Sequence, residues 1–187
     1  MRFESKKNFF TQEECAALNA WVDLATEKKW MDYNAMFDRE GVNKRINTRW
    51  TKSRFVYPPL VLELRDRVAK YAGIADCDLI VDQGRDGVVV SRVFPTGAVN
   101  EHTDGAYPGV AILRCNVVTQ AADAGGILEF QGEQKIVDVG ELHCYLASEH
   151  PHNVSLTSGA TDRICWMFGA YVIADDWNSG KIKFGEA

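Results

Sequence analysis

From residue 78 onward the sequence is a series of short β-like segments that are separated by turn residues, without a helical pattern between them. Eight or nine short strands in succession are typical of an antiparallel barrel or sandwich. The predicted strands cover about 78–83, 87–94, 98–103, 110–118, 126–130, 134–138, 141–147, 152–156 and 162–172. This series constrains the fold more than any other feature of the chain.

The first 75 residues carry two helical patterns. Thr11 with Glu14 three residues later forms a capping box at the start of an amphipathic segment. Pro58 and Pro59 open a second helix, which Gly73 ends. Both helices must bury an apolar face, and the sheet that follows is the available partner. The predicted fold is α+β and mainly β: a double-stranded β-helix, or jelly-roll, with two N-terminal helices packed on one sheet.

Length and composition favour a single domain over residues 1–187, with helical support at 1–75 and the jelly-roll core at 78–173. The chain has 187 residues, is 46% hydrophobic and carries a net charge of -5. This acidic balance argues against a nucleic-acid partner. There is no apolar run of membrane-spanning length and no secretory leader pattern, so we expect no membrane partner and a cytoplasmic location. Five dispersed cysteines are interpreted as reduced thiols.

A candidate metal site lies where the second predicted core strand ends. The β-branched run from Val88 is interrupted by a turn at residues 95–97, and the next strand ends in His102, Thr103 and Asp104. Side chains two residues apart on a strand point to the same side, so His102 and Asp104 can converge on one ion. A surface loop is the alternative interpretation of a His-x-Asp triplet taken alone.

The downstream sequence adds a third ligand and a cation. His152 lies fifty residues after His102, and Arg163 follows eleven residues later. Two histidines and one carboxylate form the facial triad that suits non-haem Fe(II) and leaves positions open. His150 competes with His152, and we prefer His152 because Pro151 suits the start of a strand. His143 is interpreted as a structural histidine.

These residues together resemble the Fe(II)- and 2-oxoglutarate-dependent dioxygenases, within them the prolyl-4-hydroxylase-like branch. The resemblance runs from about Val88 to about Tyr171, close to half of the chain. It is carried by the turn at 95–97, His102-x-Asp104, Gly125-Gly126 with Phe130, and His152-x-Val154 with Arg163. Two features depart from the pattern: Arg114-Cys115-Asn116 replaces a frequent Tyr-x-Asn, and the gap from Gly159 to Arg163 is long.

The resemblance implies an enzyme with Fe(II) on His102, Asp104 and His152, and with 2-oxoglutarate and O2 as cosubstrates. Arg163 would hold the distal carboxylate of 2-oxoglutarate. The implied reaction hydroxylates an unactivated C–H bond of an amino acid, small metabolite or peptidyl residue, and it releases succinate and CO2. Asp104 argues against halogenation, because halogenases of the superfamily lack this carboxylate. Gly169 stands where nucleic-acid demethylases carry a second arginine.

Further site candidates come from strand alternation and from local composition. Arg114 and Asn116 share a face of their strand, and we expect them to contact the cosubstrate or a substrate carboxylate unless they form a structural network. Tyr107, Trp50 and Arg49 are candidate contacts for a small-molecule or peptide substrate. The segment from Lys44 to Arg54 is basic. It is either a solvated edge or a lid that attracts an anion.

Two other functions fit the metal ligands. A cupin-like jelly-roll could hold a metal for structure or sensing without oxygen chemistry, and it would need the three ligands but not Arg163. A zinc hydrolase also uses histidine and carboxylate ligands. The sequence supplies no evident general base for such a hydrolase.

Overall fold

The computed structural model describes residues 2–33, 44–48, 56–78 and 87–185. In these ranges the helices are α1 (Gln12–Glu27), α2 (Pro59–Tyr71) and α3 (Ala174–Asn178). The strands are β1 (Glu4–Lys6), β2 (Asp32–Tyr33), β3 (Arg45–Asn47), β4 (Val88–Val93), β5 (Val99–His102), β6 (Ala111–Gln120), β7 (Leu128–Phe130), β8 (Glu133–Lys135), β9 (Leu142–Leu146), β10 (His152–Val154) and β11 (Arg163–Val172). The predicted strand at 78–83 lies outside the described residues except for Asp78.

The strands form two antiparallel sheets. The larger sheet has the order β1-β9-β6-β11-β4-β3-β2, and the smaller has the order β5-β10-β7-β8. The mainly-β prediction is therefore confirmed, and the strands predicted after residue 87 are found within a few residues of their expected ends. A small apolar cluster of Val93, Val99 and Val154 joins the two sheets beside the space between them.

The two faces of the larger sheet have different environments because side chains alternate along each strand. On the central strand β11, Trp166, Phe168 and Ala170 are buried in the main apolar core together with the helices. The intervening Cys165 and Met167 line a cavity on the opposite face. The apolar core and the cavity thus lie on opposite sides of one sheet.

Helices α1 and α2 cover the apolar face, as the sequence predicts. The capping box is present: Glu14 N–H donates to Thr11 Oγ1 at 3.2 Å, and Thr11 N–H donates to Glu14 Oε2 at 2.8 Å. Helix α2 begins at Pro59, and Gly73 follows its end with a φ of 73° that a side chain would strain. Both helices bury apolar residues in the same core as β6 and β11.

The helix arrangement differs from the prediction by one element. Helix α3 follows β11 directly, and its Trp177 is fully buried under the Arg2 guanidinium, which lies 4.1 Å from the ring centroid. Arg2 also donates to the carbonyl oxygens of Trp177 and Ile182. The N-terminal segment therefore holds α3 against the core. None of the described helices is long and apolar enough to cross a membrane, and all five cysteines are free thiols.

The capping box predicts the effect of a single substitution. Thr11→Ala removes the hydroxyl that accepts from Glu14 N–H, so we expect the free energy of unfolding to fall by about 1 kcal/mol. Thr11→Ser keeps the hydroxyl and is expected to stay within about 0.5 kcal/mol of wild type. Urea unfolding followed by circular dichroism measures both variants. Equal stability of the alanine and serine variants would contradict a stabilising role for the cap.

Candidate metal centre

The pairing of β5 with β10 brings the three predicted metal ligands together. His102, the last residue of β5, lies directly opposite His152, the first residue of β10. Asp104 follows β5, and its backbone N–H donates to the Ala147 carbonyl oxygen at 2.9 Å. One nitrogen of each histidine and one Asp104 oxygen all lie within 4.8 Å of one another. The structure therefore groups the residues that the sequence singled out.

Backbone carbonyls orient both histidine rings. His102 Nδ1 lies 2.8 Å from the Asn100 carbonyl oxygen, and His152 Nδ1 lies 3.1 Å from that of His150. Because a carbonyl can only accept, each Nδ1 carries the hydrogen and each Nε2 carries the lone pair. The same arrangement fixes metal-ligating histidines in proteins. His150 itself points elsewhere, since its Nδ1 lies 2.6 Å from the Gln131 amide nitrogen.

A buried arginine orients the carboxylate. Arg114 Nε donates to Asp104 Oδ2 at 2.7 Å, and both side chains are almost fully buried. The other oxygen, Oδ1, lies 3.8 Å from His102 Nε2 and faces the histidines. Burial alone would raise the pKa of Asp104, but the Arg114 guanidinium and the two histidines outweigh it and hold this pKa below its usual range. Asp104 is therefore an anion near neutral pH.

The donor set fits a divalent metal ion. Burial, with a smaller effect of His152, lowers the pKa of His102 to about 4, and burial also lowers the pKa of His152. Both imidazoles are thus neutral at pH 7, which is the state that binds metals. Two neutral imidazole nitrogens and one carboxylate oxygen on adjoining positions match the facial triad of non-haem iron sites.

The three ligands line a cavity between the sheets of about 690 Å³, including open space at its mouth. Arg163, at the start of β11, lines the same cavity and is 5% exposed. It donates to the Cys165 sulfur, and no carboxylate among the described residues pairs with it. An unpaired guanidinium is costly to bury, so an anionic ligand fits this position.

Gly125 and Gly126, the glycine pair of the sequence motif, lie close to the Arg163 side chain and to the neighbouring loop. A Cβ on Gly126 would lie 3.0 Å from Arg163 Cδ, and a Cβ on Gly125 would collide with the Leu156 carbonyl oxygen. Both glycines have positive φ, 69° and 66°. Glycine at these two positions therefore leaves room for the arginine stem and for the neighbouring loop.

Buried polar atoms without a hydrogen-bond partner face the same cavity. Among the described residues these include Ser91 Oγ, Asn116 Oδ1 and His143 Nδ1. The Asn116 amide nitrogen donates to the Tyr145 hydroxyl at 3.2 Å, which leaves its carbonyl oxygen unpaired. Unsatisfied buried polar atoms are costly. Their position around one cavity indicates that it holds a polar ligand.

Structural comparison identifies proteins with this architecture, whereas no protein-family model and no curated protein sequence matches the chain. The viral collagen prolyl hydroxylase of Paramecium bursaria Chlorella virus-1, in complex with 2-oxoglutarate, aligns with a TM-score of 0.61 and 15% identity over 91% of this chain and 97% of that chain. A prolyl-4-hydroxylase from Pseudomonas putida aligns with a TM-score of 0.61 and 13% identity over 89% of this chain and 91% of that chain.

The chain has a prolyl-4-hydroxylase-like fold. The non-haem α-ketoglutarate-dependent epimerase SnoN from nogalamycin biosynthesis also aligns, with a TM-score of 0.66 and 12% identity over 92% of this chain and 78% of that chain. The resemblance that the sequence motifs indicate is thus confirmed at the level of fold, and it extends over nearly the whole chain.

The structure describes three of the remaining site candidates. Arg114 contacts the metal-site carboxylate. Asn116 lines the cavity. Tyr107 is 60% exposed, and its ring lies 5.5 Å from that of Tyr171, outside the described cavity lining. Arg49 and Trp50 lie outside the described residues, and so does most of the segment from Lys44 to Arg54.

Sequence reasoning missed several polar residues of the cavity, among them Arg45, Tyr145 and His143. Arg45 on β3 and Tyr145 on β9 line it, and His143, interpreted as structural, lines it as well. Tyr145 lies edge-on to His152, with ring centroids 5.3 Å apart. For Arg45, the one sequence signal of a role in the site was its position in the basic segment from Lys44 to Arg54. Tyr145 and His143 alternate with apolar residues on a fully buried strand, so their face could not be assigned before the pairing of β9 with β6 was known.

The contact between Arg114 and Asp104 predicts a positioning role. Arg114→Met leaves the buried carboxylate without its partner, and we expect metal affinity to fall by about 10-fold to 100-fold. Arg114→Lys keeps the charge and is expected to lose less. Titration with Co(II), followed by its visible absorption, measures the affinity. Arg65→Met, which removes an arginine paired with Asp66 on the surface of α2, is the matched control. Equal affinity in Arg114→Met and this control would contradict the role.

His143 predicts part of the acid sensitivity of the fold. Burial, with the nearby Arg163, lowers its pKa from 6.5 to about 3. Below pH 6.5 the unfolded chain binds a proton at His143 that the folded chain excludes, so stability falls with pH. Between pH 7 and pH 5 this residue is expected to cost about 2 kcal/mol.

Urea unfolding of the metal-free protein at both pH values checks this expectation. The histidines at 102 and 152 are retained in His143→Gln, so their own contributions remain and the difference from wild type isolates His143. We expect His143→Gln to lose less stability on acidification than wild type. If wild type and His143→Gln lost the same free energy of unfolding between pH 7 and pH 5, His143 would not exclude the proton in the folded state.

Proposed function

We propose that this protein is an Fe(II)- and 2-oxoglutarate-dependent oxygenase. It hydroxylates an unactivated C–H bond of an amino acid, a small metabolite or a peptidyl residue, with release of succinate and CO2. One observation carries the proposal. Two imidazole nitrogens and one carboxylate oxygen converge in a cavity that also contains the buried guanidinium of Arg163.

Three protein side chains would hold the metal. His102, Asp104 and His152 would supply the two imidazoles and one carboxylate that suit non-haem Fe(II). Bound Fe(II), with 2-oxoglutarate and O2, supplies the oxidising chemistry that hydroxylates a C–H bond. Arg114 keeps Asp104 ionised and directs its Oδ1 toward the histidines.

Arg163 would bind the distal carboxylate of 2-oxoglutarate. Its planar guanidinium can donate two parallel hydrogen bonds to a carboxylate, which fixes both the position and the direction of the ligand. The pairing also compensates a buried charge that no carboxylate of the described residues neutralises. The close approach of Gly126 to the arginine stem restricts where the guanidinium can lie.

Neutral polar groups deeper in the cavity would complete the cosubstrate site. The Asn116 carbonyl oxygen and His143 Nδ1 lack partners among the described residues and line the same space as Arg163. The Tyr145 hydroxyl accepts a hydrogen bond from the Asn116 amide nitrogen, and burial followed by the Asp104 charge raises the pKa of Tyr145, so it keeps its proton. We propose Asn116 as a cosubstrate contact and Arg114 as a residue that acts through Asp104.

The arrangement favours an oxygenase over a metal-binding module without catalysis. A cupin-like module needs the three metal ligands alone, whereas this cavity also contains Arg163 and several unpaired polar atoms. We interpret the two antiparallel sheets as the double-stranded β-helix that the sequence predicts. Two aligned structures are named as prolyl hydroxylases and one as an epimerase. Hydroxylation is the reaction that we propose for this chain.

Anaerobic titration of the Fe(II)-loaded protein with 2-oxoglutarate tests the proposal through the visible metal-to-ligand charge-transfer band. Wild type is expected to develop the band. Arg163→Met is expected to bind 2-oxoglutarate at least about 10-fold more weakly, because a bidentate charged contact is lost. His152→Ala is expected to abolish the band by removing a metal ligand.

Arg65→Met is the matched control and is expected to titrate like wild type, since Arg65 lies on the surface of α2 and contacts Asp66. Circular dichroism establishes that each variant is folded. Failure of the folded, iron-loaded wild type to develop a band would overturn the cosubstrate assignment and favour the metal-binding jelly-roll.

A further inference from the structure

We propose that Arg45, with Ser91 beside it, binds a free carboxylate group of the primary substrate. The substrate class is then a carboxylate-bearing small molecule, such as a free amino acid, and not an internal residue of a polypeptide. This inference rests on the proposed function, because it assigns the part of the cavity that metal and cosubstrate leave open.

Strand register places Arg45 on the wall that faces the metal ligands. Arg45 of β3 and Arg163 of β11 both lie directly opposite Val93 of β4, one on each side of it. Directly opposed residues in antiparallel strands project to the same face. The two guanidinium groups therefore flank Val93 on the cavity face, and both line the cavity. Arg45 is 7% exposed.

The next row of the same wall is polar and neutral. Asn47, Ser91 and Cys165 lie opposite one another across β3, β4 and β11. Ser91 is 4% exposed, and its hydroxyl has no hydrogen-bond partner among the described residues. A buried hydroxyl that lines a cavity without a partner indicates a ligand atom within its reach. The wall thus offers a cation and a hydrogen-bond donor side by side.

Arg45 lines the same cavity as His102, Asp104 and His152. An anion held by Arg45 would accordingly share that cavity with the metal. This position suits a substrate that must present a C–H bond to the metal.

The three cavity guanidiniums separate into three roles. Arg114 is paired with Asp104, the one carboxylate among the described residues that line the cavity. Arg163 is assigned to the cosubstrate. The charges of Fe(II) and of 2-oxoglutarate cancel, so the loaded cavity retains a positive field that attracts an anionic substrate. Arg45 lines the same wall as Ser91, and we assign it to the substrate.

A carboxylate fits this wall better than a phosphate does. One guanidinium and one hydroxyl match the two oxygens and the single charge of a carboxylate. A phosphate monoester carries close to two charges at pH 7 and three strong acceptor oxygens. The remaining polar groups of the wall are an amide and a thiol, which add no further positive charge.

Thermal unfolding of the protein loaded with Mn(II) and saturating 2-oxoglutarate tests the inference without turnover. The probes are the twenty proteinogenic amino acids and the C2 to C6 aliphatic monocarboxylates, each at 10 mM, together with the matching primary amides and with ethyl phosphate, a phosphate monoester without a carboxylate. A ligand present at ten times its Kd is expected to raise Tm by about 3 °C. We expect at least one carboxylate to give this shift, and its amide and ethyl phosphate to give none.

Substitutions then locate the effect. Arg45→Met is expected to abolish the shift, which corresponds to an affinity loss of at least about 10-fold. Arg45→Lys keeps the charge without the planar fork and is expected to retain part of it. Lys44→Met is the matched control, because Lys44 is the exposed neighbour and donates to Thr96 Oγ1. It is expected to respond like wild type.

The affinity for 2-oxoglutarate, measured in the same variants, distinguishes a failure of this inference from a failure of the proposed function. It is expected to be unchanged in both Arg45 variants. The inference is overturned by the absence of any carboxylate shift in wild type, by a shift that persists in Arg45→Met, or by an equal shift with amides or ethyl phosphate. A 10-fold loss of 2-oxoglutarate affinity in Arg45→Lys would also overturn it. In the first three cases the proposed function stands. Failure of wild type to bind 2-oxoglutarate would remove both.

Discussion

The antiparallel pairing of β5 with β10 is the interaction on which the candidate site depends. It sets His152 opposite His102, and a slip of one residue would turn one imidazole to the other face of the sheet. Contacts beyond the short strands fix the register. Thr157 donates its backbone N–H to the Gly97 carbonyl oxygen, and its hydroxyl bonds to the backbone on both sides of the turn at residues 95–97. The turn at residues 95–97 therefore helps to fix the register that places His102 opposite His152.

The larger sheet separates an apolar core on one face from a polar cavity on the other. Its helix-covered face is apolar, and its cavity face carries three buried arginines. A buried charge is tolerable only where a partner compensates it. Arg114 has that partner in Asp104, whereas Arg163 has no carboxylate partner among the described residues. We therefore interpret Arg114 as a residue that supports the metal ligands and Arg163 as a residue that binds an anionic ligand.

Local sequence signals predicted much of this architecture, because strand alternation, capping and turn chemistry act over a few residues. They placed the helix start at Thr11, the strands after residue 87 and the group of His102, Asp104 and His152. They could not predict that Arg114 pairs with Asp104, since this contact depends on the path of the chain after β5. For the same reason the role of Arg45 emerged only when β3 was found beside β4, and helix α3 was not foreseen because five residues carry too little periodicity.

The long gap between Gly159 and Arg163 illustrates how a departure from a family pattern can preserve the geometry of a site. Asp123 accepts hydrogen bonds from the backbone N–H groups of Ala160 and Thr161, so the additional residues form a fixed loop. Asp162, adjacent to Arg163, pairs with Arg92. The nearest carboxylate in sequence is thus engaged elsewhere, and Arg163 enters β11 facing the cavity. The sequence spacing changed, but the loop contacts still deliver a guanidinium to the cavity without a competing intramolecular anion from its own neighbour.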